Sequence, residues 1–456
     1  MITVKELQDI VGKDWVVSDR GQMQRYLADE TADAMRPKPA DNVILVKPAS
    51  AAEVSRILKL ANRQKTPVFV RGGGTGICGG AIPIVDGVLL STERLDRVIE
   101  VDKSNLMVVV ESGVTLGSML KAVEAAGMFF PPHPGDEGAH VGGLVACNAG
   151  GTRAVKYGVM RNFVRGLEVV LPTGEIVNMG GKLLKNNQGF DLMHLLINSG
   201  GALGVITKVI FRLCPKFNSS GTLLISYDQR HKAIDTVPEI LQSGIVPLAI
   251  EYVERDVIEI SARRLGMAWP ARKGLAYLLV ILTGDSDDEV YAQGEKVSQI
   301  CERNNATDIL IAERREEQAN ILKIRSEVYS SLKSQLADVL DITVPPASIG
   351  DMMDRVDEVA ARFKVRIPTY GHAADGNLHP HLLAELAEKG ILRQVKREIY
   401  KAAIEMGGVI TGEHGLGVIR LPDLDICPDG KIWELMRGIK KVFDPNNILS
   451  PGVGVF

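Results

Sequence analysis

Apolar runs and helical stripes alternate along the chain from residue 42 onward. Asn42-Val-Ile-Leu-Val-Lys47 is a strand-like apolar run between polar ends. Ser50 and Glu53 have capping-box spacing, and Val54, Ile57, Leu58 and Ala61 then recur on one helical face. Pro67-Val-Phe-Val70 is a second strand that runs straight into Arg71-Gly-Gly-Gly-Thr-Gly76. The unit is therefore strand, helix and strand, ending in a glycine loop. Val88-Leu-Leu90 and Leu106-Met-Val-Val-Val110 read as further strands. Leu275 to Leu282 is an unbroken apolar run of strand length, and 287–303 and 314–337 carry helical patterning. Leu392, Val395, Ile399, Ala402, Ala403 and Met406 keep one stripe until Gly407-Gly408 stops it. Phe443 to Gly452 is a turn-rich closing segment.

Glycine clusters at 71–80, 135–151, 199–204 and 407–417, while 215–365 is poorer in such clusters. The contrast predicts a ligand-gripping region, a middle domain and a glycine-rich return. At 456 residues the chain holds about three domain-sized units. A composition of 45% hydrophobic and 24% charged residues excludes bulk disorder. With 53 basic against 56 acidic residues, no global basic field exists for nucleic acid. The longest apolar run is too short to cross a bilayer. Cys78, Cys147, Cys214, Cys301 and Cys427 form no CxxC pair, which excludes an iron–sulfur cluster or a CxxC zinc site within the chain. Their sparse, odd count points to a reducing compartment. The N-terminus lacks a secretory pattern, so the expectation is a cytoplasmic protein, peripheral to the membrane at most through a partner.

Arg71-Gly-Gly-Gly-Thr-Gly76 can aim several N–H groups at one anion, a phosphate or pyrophosphate being the natural occupant. No Gly-Lys-Ser/Thr follows, and the spacing is not that of a Rossmann loop. A plain tight turn is the alternative. Pro131 to Gly151 is long, small-residued and poor in charge, suited to packing backbone against a flat ligand, with Asn148 and Thr152 as directed hydrogen-bonding groups.

Four of the eight histidines fall between 372 and 414. Asp375-Gly376 is a hairpin signal within Tyr370-Gly-His-Ala-Ala-Asp-Gly-Asn-Leu-His379. A two-residue turn there would put His372 directly opposite His379, close enough to share a metal. Glu413, in Thr411-Gly-Glu-His-Gly415, is a candidate third ligand. Two histidines and a carboxylate leave an open position, as catalytic zinc sites require. A satisfied core or turn histidine is the alternative for each.

These segments carry a resemblance. The first loop with Gly79-Gly80-Ala81 looks like the pyrophosphate loop of vanillyl-alcohol-oxidase type FAD proteins. Val141 to Gly151, Arg153 to Gly158, Gly166 to Val170, Asn186 to Leu192 and Gly204 to Thr207 resemble the branch of glycolate oxidase GlcD and D-lactate dehydrogenase. The likeness runs from about residue 20 to the C-terminus, with the motifs in order. It implies an α+β fold: an FAD-binding domain with an α+β cap that carries the substrate. The implied divisions are an N-terminal helical segment 1–34, the FAD domain 35–215, the cap 216–410, and a segment 411–456 returning to the FAD domain.

The implied cofactor-binding residues are Arg71, Gly72, Gly73, Gly74, Thr75, Gly76 and Gly79 in the first loop. Pro134, Gly135, Gly142, Gly143, Asn148, Gly150 and Thr152 follow in the second segment, and Gly204, Val205 and Ile206 in the third. Thr75 stands where some relatives carry a flavin-linked histidine, so the FAD is expected to be noncovalent. His133 and His140 are the histidines of the second segment. Gly371 to His379 and Gly412-Glu-His-Gly415 resemble hallmarks of the same branch. They imply that His372, His379 and Glu413 hold a divalent metal, zinc or similar. They also imply that His414 is the general base on the substrate hydroxyl and that Asn377 lies near flavin and substrate. His381 falls outside the motif and is expected to be structural or solvent-facing. Arg325 sits where relatives place a carboxylate-binding arginine, with an exposed helix arginine as the alternative.

Two departures stand out. Gly200 replaces a glutamate common before the Val-Ile-Thr segment, and Thr343-Val-Pro-Pro-Ala-Ser348 lacks a basic residue that relatives often carry. The expected activity is oxidation of a 2-hydroxy acid, D-lactate or glycolate favoured, to a 2-oxo acid. Electrons would pass to a separate iron–sulfur subunit or electron-transfer flavoprotein. A flavin relay subunit and an alkyl-glycerone-phosphate synthase-like transferase are the alternatives. The first needs no metal or base, and the second needs a long-chain pocket that no extra apolar segment supplies.

Overall fold

The computed structural model describes residues 2–428 and 430–454. Three larger sheets organise them, beside a two-stranded pair of Met128–Phe129 with Cys214–Pro215. Val43–Val46, Gly87–Ser91 and Val68–Arg71 form a parallel core, with Val16–Val17 added at one edge. The helix Ala51–Gln64 covers this sheet. Its Val54, Ile57, Leu58 and Ala61 are fully buried in one cluster with Val46, Val68, Val88 and Leu90. Ser50 caps the helix by accepting from Glu53 N, but Glu53 reaches back to Ala49 N rather than to Ser50.

The second sheet is antiparallel, in the order Val98–Asp102, Met107–Glu111, Val205–Arg212, Val164–Val170, Ile176–Gly180. The third and largest is also antiparallel. It runs Asp308–Ala312, Ser219–Tyr227, Ala276–Gly284, Ala249–Glu254, Thr369–His372, Asn377–Leu383, Leu336–Val339, with Ile342–Thr343 also paired to Asn377–Leu383. Helices including Asp287–Arg303, Ile349–Phe363 and Leu392–Glu405 cover its apolar face. The architecture is α+β, as the sequence implies. Among the described residues no helix is long and apolar enough to cross a membrane.

The patterned stretch 314–337 is not one helix. It divides into Arg315–Ser326 and Val328–Leu332, and the chain enters the strand Leu336–Val339. Pairing with Asn377–Leu383 buries that strand completely, and this outweighs its helical pattern.

The C-terminal segment is laced onto the first sheet. Val68 N donates to Ile448 O at 2.7 Å and Ser450 N to Val68 O at 2.9 Å. The buried Lys440 ammonium donates to Ala202 O and Leu449 O and pairs with Asp444 at 2.6 Å.

Candidate active site

The hairpin that carries the histidines has a four-residue loop, not a two-residue turn. Its register sets His372 opposite Asn377 and Tyr370 opposite His379. Ala373 and Ala374 are drawn into the cap core instead of extending the strands, and Gly376 takes φ +81 to close the loop. The expected direct pairing of His372 with His379 is therefore wrong by one step along each strand. The two rings become diagonal neighbours on one face, with centroids 5.5 Å apart.

The neighbouring strand adds a carboxylate. Glu251 lies opposite His372 across the sheet and is fully buried. The loop after Ile410 brings Glu413 and His414 over the hairpin. One oxygen of Glu413, Oε1, then faces three imidazoles: His379 Nε2 at 3.3 Å, His372 Nε2 at 3.4 Å and His414 Nε2 at 3.5 Å. Asp341, His379, Glu413 and His414 together place four donor atoms within 4.8 Å of one another. A carboxylate oxygen ringed by imidazole nitrogens is a donor set suited to a borderline divalent metal.

The charges are mutually supporting. Burial works against ionising Glu413, but His372 and the hydrogen bonds of the imidazoles hold it well below the usual carboxylate range. Burial likewise opposes charge on His372, yet Glu251 and Glu413 raise it well above an ordinary imidazole. His414 is raised in the same way, with Asp341 and Glu413 outweighing burial. His379 goes down, first through burial and then through His414. Burial drives His381 down to about 3. It is fully buried against Tyr370, so it is a core residue and not solvent-facing.

Arg325 is also buried, contrary to the exposed alternative. Its guanidinium lies 4.5 Å over the Tyr370 ring and pairs with Glu251 at 2.5 Å, while its Nε has no hydrogen-bond partner among the described residues. Asn377 donates through Nδ2 to Asp341, to Ile342 O and to Thr343 at 2.9–3.0 Å.

Both glycine segments border this cluster. A Cβ on Gly150 would stand 2.9 Å from Glu413 Oε2, and Val418 N, just past the His414 loop, donates to Cys78 O at 2.8 Å. The first loop itself packs on the second segment. A Cβ on Gly73 would meet Gly138 O at 2.8 Å, and one on Gly72 would meet His140 at 3.2 Å. No N–H of Gly73, Gly74, Thr75 or Gly76 donates to another group among the described residues, so the row is free to bind an anion. Gly76, Gly135 and Gly143 have nothing within 4 Å of a built Cβ, which leaves a cradle open beside that row. These features fit an FAD.

Arg71 does not point into the cradle. It is buried, its guanidinium folds beneath Gly74, and Nη2 donates to Arg25 O at 2.9 Å, so it braces the loop. Asn148 Oδ1 accepts from Arg161 N, and Gly79 N donates to Thr31. Gly142 lies against Ser112 at 2.5 Å from a built Cβ. Pro134 and Thr152 are half-buried in the second segment. Gly204 packs on Val169, with Val205 and Ile206 buried in the second sheet. His140 Nδ1 lies 3.3 Å from Thr92 Oγ1.

Sequence reading missed Asp341 and Glu251. The signal was available, for each is an acid inside an apolar strand-like run, Ala249-Ile-Glu-Tyr-Val253 and Val339-Leu-Asp-Ile342.

A model of the FAD binding domain matches residues 43–180, and one for the C-terminal domain of FAD linked oxidases matches 218–453. The chain is 42% identical over 429 residues to a D-lactate dehydrogenase of Archaeoglobus fulgidus, covering 94% of each. It is 36% identical over 417 residues to glycolate oxidase subunit GlcD of Bacillus subtilis, covering 90% of this chain and 88% of that one. A D-lactate dehydrogenase of Anaerostipes hadrus is 34% identical over 460 residues, with 98% and 96% covered. Among solved structures, 4-ethylphenol oxidase from Gulosibacter chungangensis shares the fold with a TM-score of 0.77 at 17% identity, covering 99% and 96%. An alkyldihydroxyacetonephosphate synthase shares it at 0.75 and 18% identity, covering 98% and 85%.

Proposed function

The chain belongs to the FAD-linked oxidases of vanillyl-alcohol-oxidase type, and on that premise we propose that it is a 2-hydroxy-acid dehydrogenase with D-lactate or glycolate as substrate. The observation that carries this reading is the ring of three imidazoles around one Glu413 oxygen, next to Gly150 of the glycine segment. An electron relay would have no use for such a set. His372, His379 and Glu413 would hold a divalent metal such as zinc. When bound, FAD supplies an acceptor for the substrate hydride and the metal a Lewis acid for its hydroxyl.

The chain's own groups do the rest. His414 presents Nε2 to the same centre and takes the hydroxyl proton as general base. The guanidinium of Arg325, buried and with Nε unpartnered, binds the substrate carboxylate. The buried cap strands close one side of this centre. FAD would be held without a covalent bond, since Thr75 offers no nucleophile of the histidine kind. The chain lacks a CxxC pair, so an acceptor protein, an iron–sulfur subunit or an electron-transfer flavoprotein, would reoxidise the flavin.

The test is anaerobic. Protein loaded with FAD and zinc is mixed separately with D-lactate, L-lactate, glycolate and D-2-hydroxyglutarate while flavin absorbance is followed. Bleaching by D-lactate or glycolate is the expected result. A fully loaded protein that none of the four reduces is not a 2-hydroxy-acid dehydrogenase.

A further inference from the structure

Asp341 lies between the strands Leu336–Val339 and Ile342–Thr343, with its side chain fully buried. One of its oxygens is saturated. Oδ2 accepts from Thr411 Oγ1 at 2.8 Å, from Glu413 N at 3.0 Å and from His414 N at 2.8 Å. The other is not, for among the described residues Oδ1 accepts only from Asn377 Nδ2, at 3.0 Å. A carboxylate oxygen has room for a second donor there.

The group that faces the vacant position is His379. Its Nδ1 is buried, has no hydrogen-bond partner among the described residues, and lies 3.8 Å from Asp341 Oδ1. A movement of about 1 Å closes that distance to a hydrogen bond. The His379 ring also stacks on His414, 4.9 Å away and 22° from parallel.

We infer that Asp341 is the positioning residue of this centre: it holds the His379 proton on Nδ1, leaving Nε2 free as a metal ligand, and it seats Glu413 and His414 through their backbone N–H groups. The inference rests on the function proposed above. A neutral imidazole carries one proton, so a carboxylate at Nδ1 decides that Nε2 bears the lone pair. One buried side chain thus sets the ligand, through Oδ1, and the base with its neighbouring carboxylate, through Oδ2.

Asp341→Asn separates these roles. The amide oxygen can keep the Oδ2 bonds to the loop, but an –NH2 then replaces Oδ1, gives up the bond from Asn377 Nδ2, faces His379 and forces its proton to Nε2. The expected result is retained FAD content with zinc affinity, measured by equilibrium dialysis, down about 10–100-fold. Thr411→Val removes one loop bond and leaves Oδ1 alone, so its zinc affinity should stay within about twofold of wild type. Nitrogen-15 spectra of the zinc-loaded protein, with His379→Ala to identify the resonance, should put the His379 proton on Nδ1 in wild type and on Nε2 in Asp341→Asn.

Undiminished zinc affinity in Asp341→Asn would overturn the inference, and so would a wild-type His379 proton on Nε2. Equal zinc losses in the two variants would reduce Asp341 to a loop clamp, and a zinc loss with the His379 proton unmoved would make it a ligand. Each of these also overturns the inference. If Asp341→Asn does not fold, the wild-type spectrum decides alone. If the wild type oxidises no 2-hydroxy acid, the proposed function fails while the spectrum and the zinc titration still judge Asp341.

Discussion

Glu251 bridges His372 to Arg325 inside the cap sheet, with Oε1 2.7 Å from His372 Nδ1 and Oε2 2.5 Å from Arg325 Nη2. Burial disfavours its charge, yet the two cationic neighbours hold it below the usual carboxylate range. One acid therefore couples the imidazole facing Glu413 to the guanidinium proposed to bind substrate. In Glu251→Gln, Arg325 would be left buried without an anion. Breaking such a pair costs on the order of 3 kcal/mol. The variant should unfold at lower temperature and show a higher KM for D-lactate, checked by thermal unfolding of the FAD-loaded protein and steady-state kinetics. Unchanged KM and melting would remove Glu251 from the site.

Gly76 separates cofactor from protein sterics. A built Cβ there meets nothing within 4 Å, so the polypeptide tolerates a side chain. Gly76→Val should leave the apoprotein's melting temperature unchanged while weakening FAD binding at least tenfold, measured by flavin fluorescence on titration. Full FAD affinity in this variant would place the cofactor elsewhere.

Glu254 should make stability depend on pH. It is buried 3.3 Å from Arg230, and burial pushes its carboxyl from 4.5 up to about 7. The folded protein therefore binds this proton more tightly than the unfolded chain. Stability from this group is present below about pH 4.5 and is lost as pH rises toward 7. Glu254→Gln should flatten that part of the profile, read by chemical denaturation at several pH values. A wild-type slope retained across pH 4.5–7 would contradict the assignment.

The two glycine segments and the helix under the parallel sheet were legible because local patterning and backbone permissiveness decide them. Val54, Ile57, Leu58 and Ala61 form one buried face as their spacing requires. The residues 372, 379, 413 and 414 were legible as types, and the structure brings them together. Their register was not. Asp375-Gly376 reads as a two-residue turn, but burial of Ala373 and Ala374, which no local rule encodes, widened the loop. The same limit hid Leu336–Val339, whose strand exists through a partner some 45 residues away. Asp341 and Glu251 escaped because an isolated acid states nothing about which loop or imidazole it will meet.

The most direct test of the central claim is stopped-flow reduction of the flavin by D-lactate without oxygen, comparing wild type with His414→Ala at equal FAD and zinc content. With His414 as the base on the substrate hydroxyl, wild type bleaches and the variant is slower by about 10²–10⁴-fold while FAD content is unchanged. Reduction of the variant at the wild-type rate would contradict the proposed role of His414 and with it the chemistry assigned to this site.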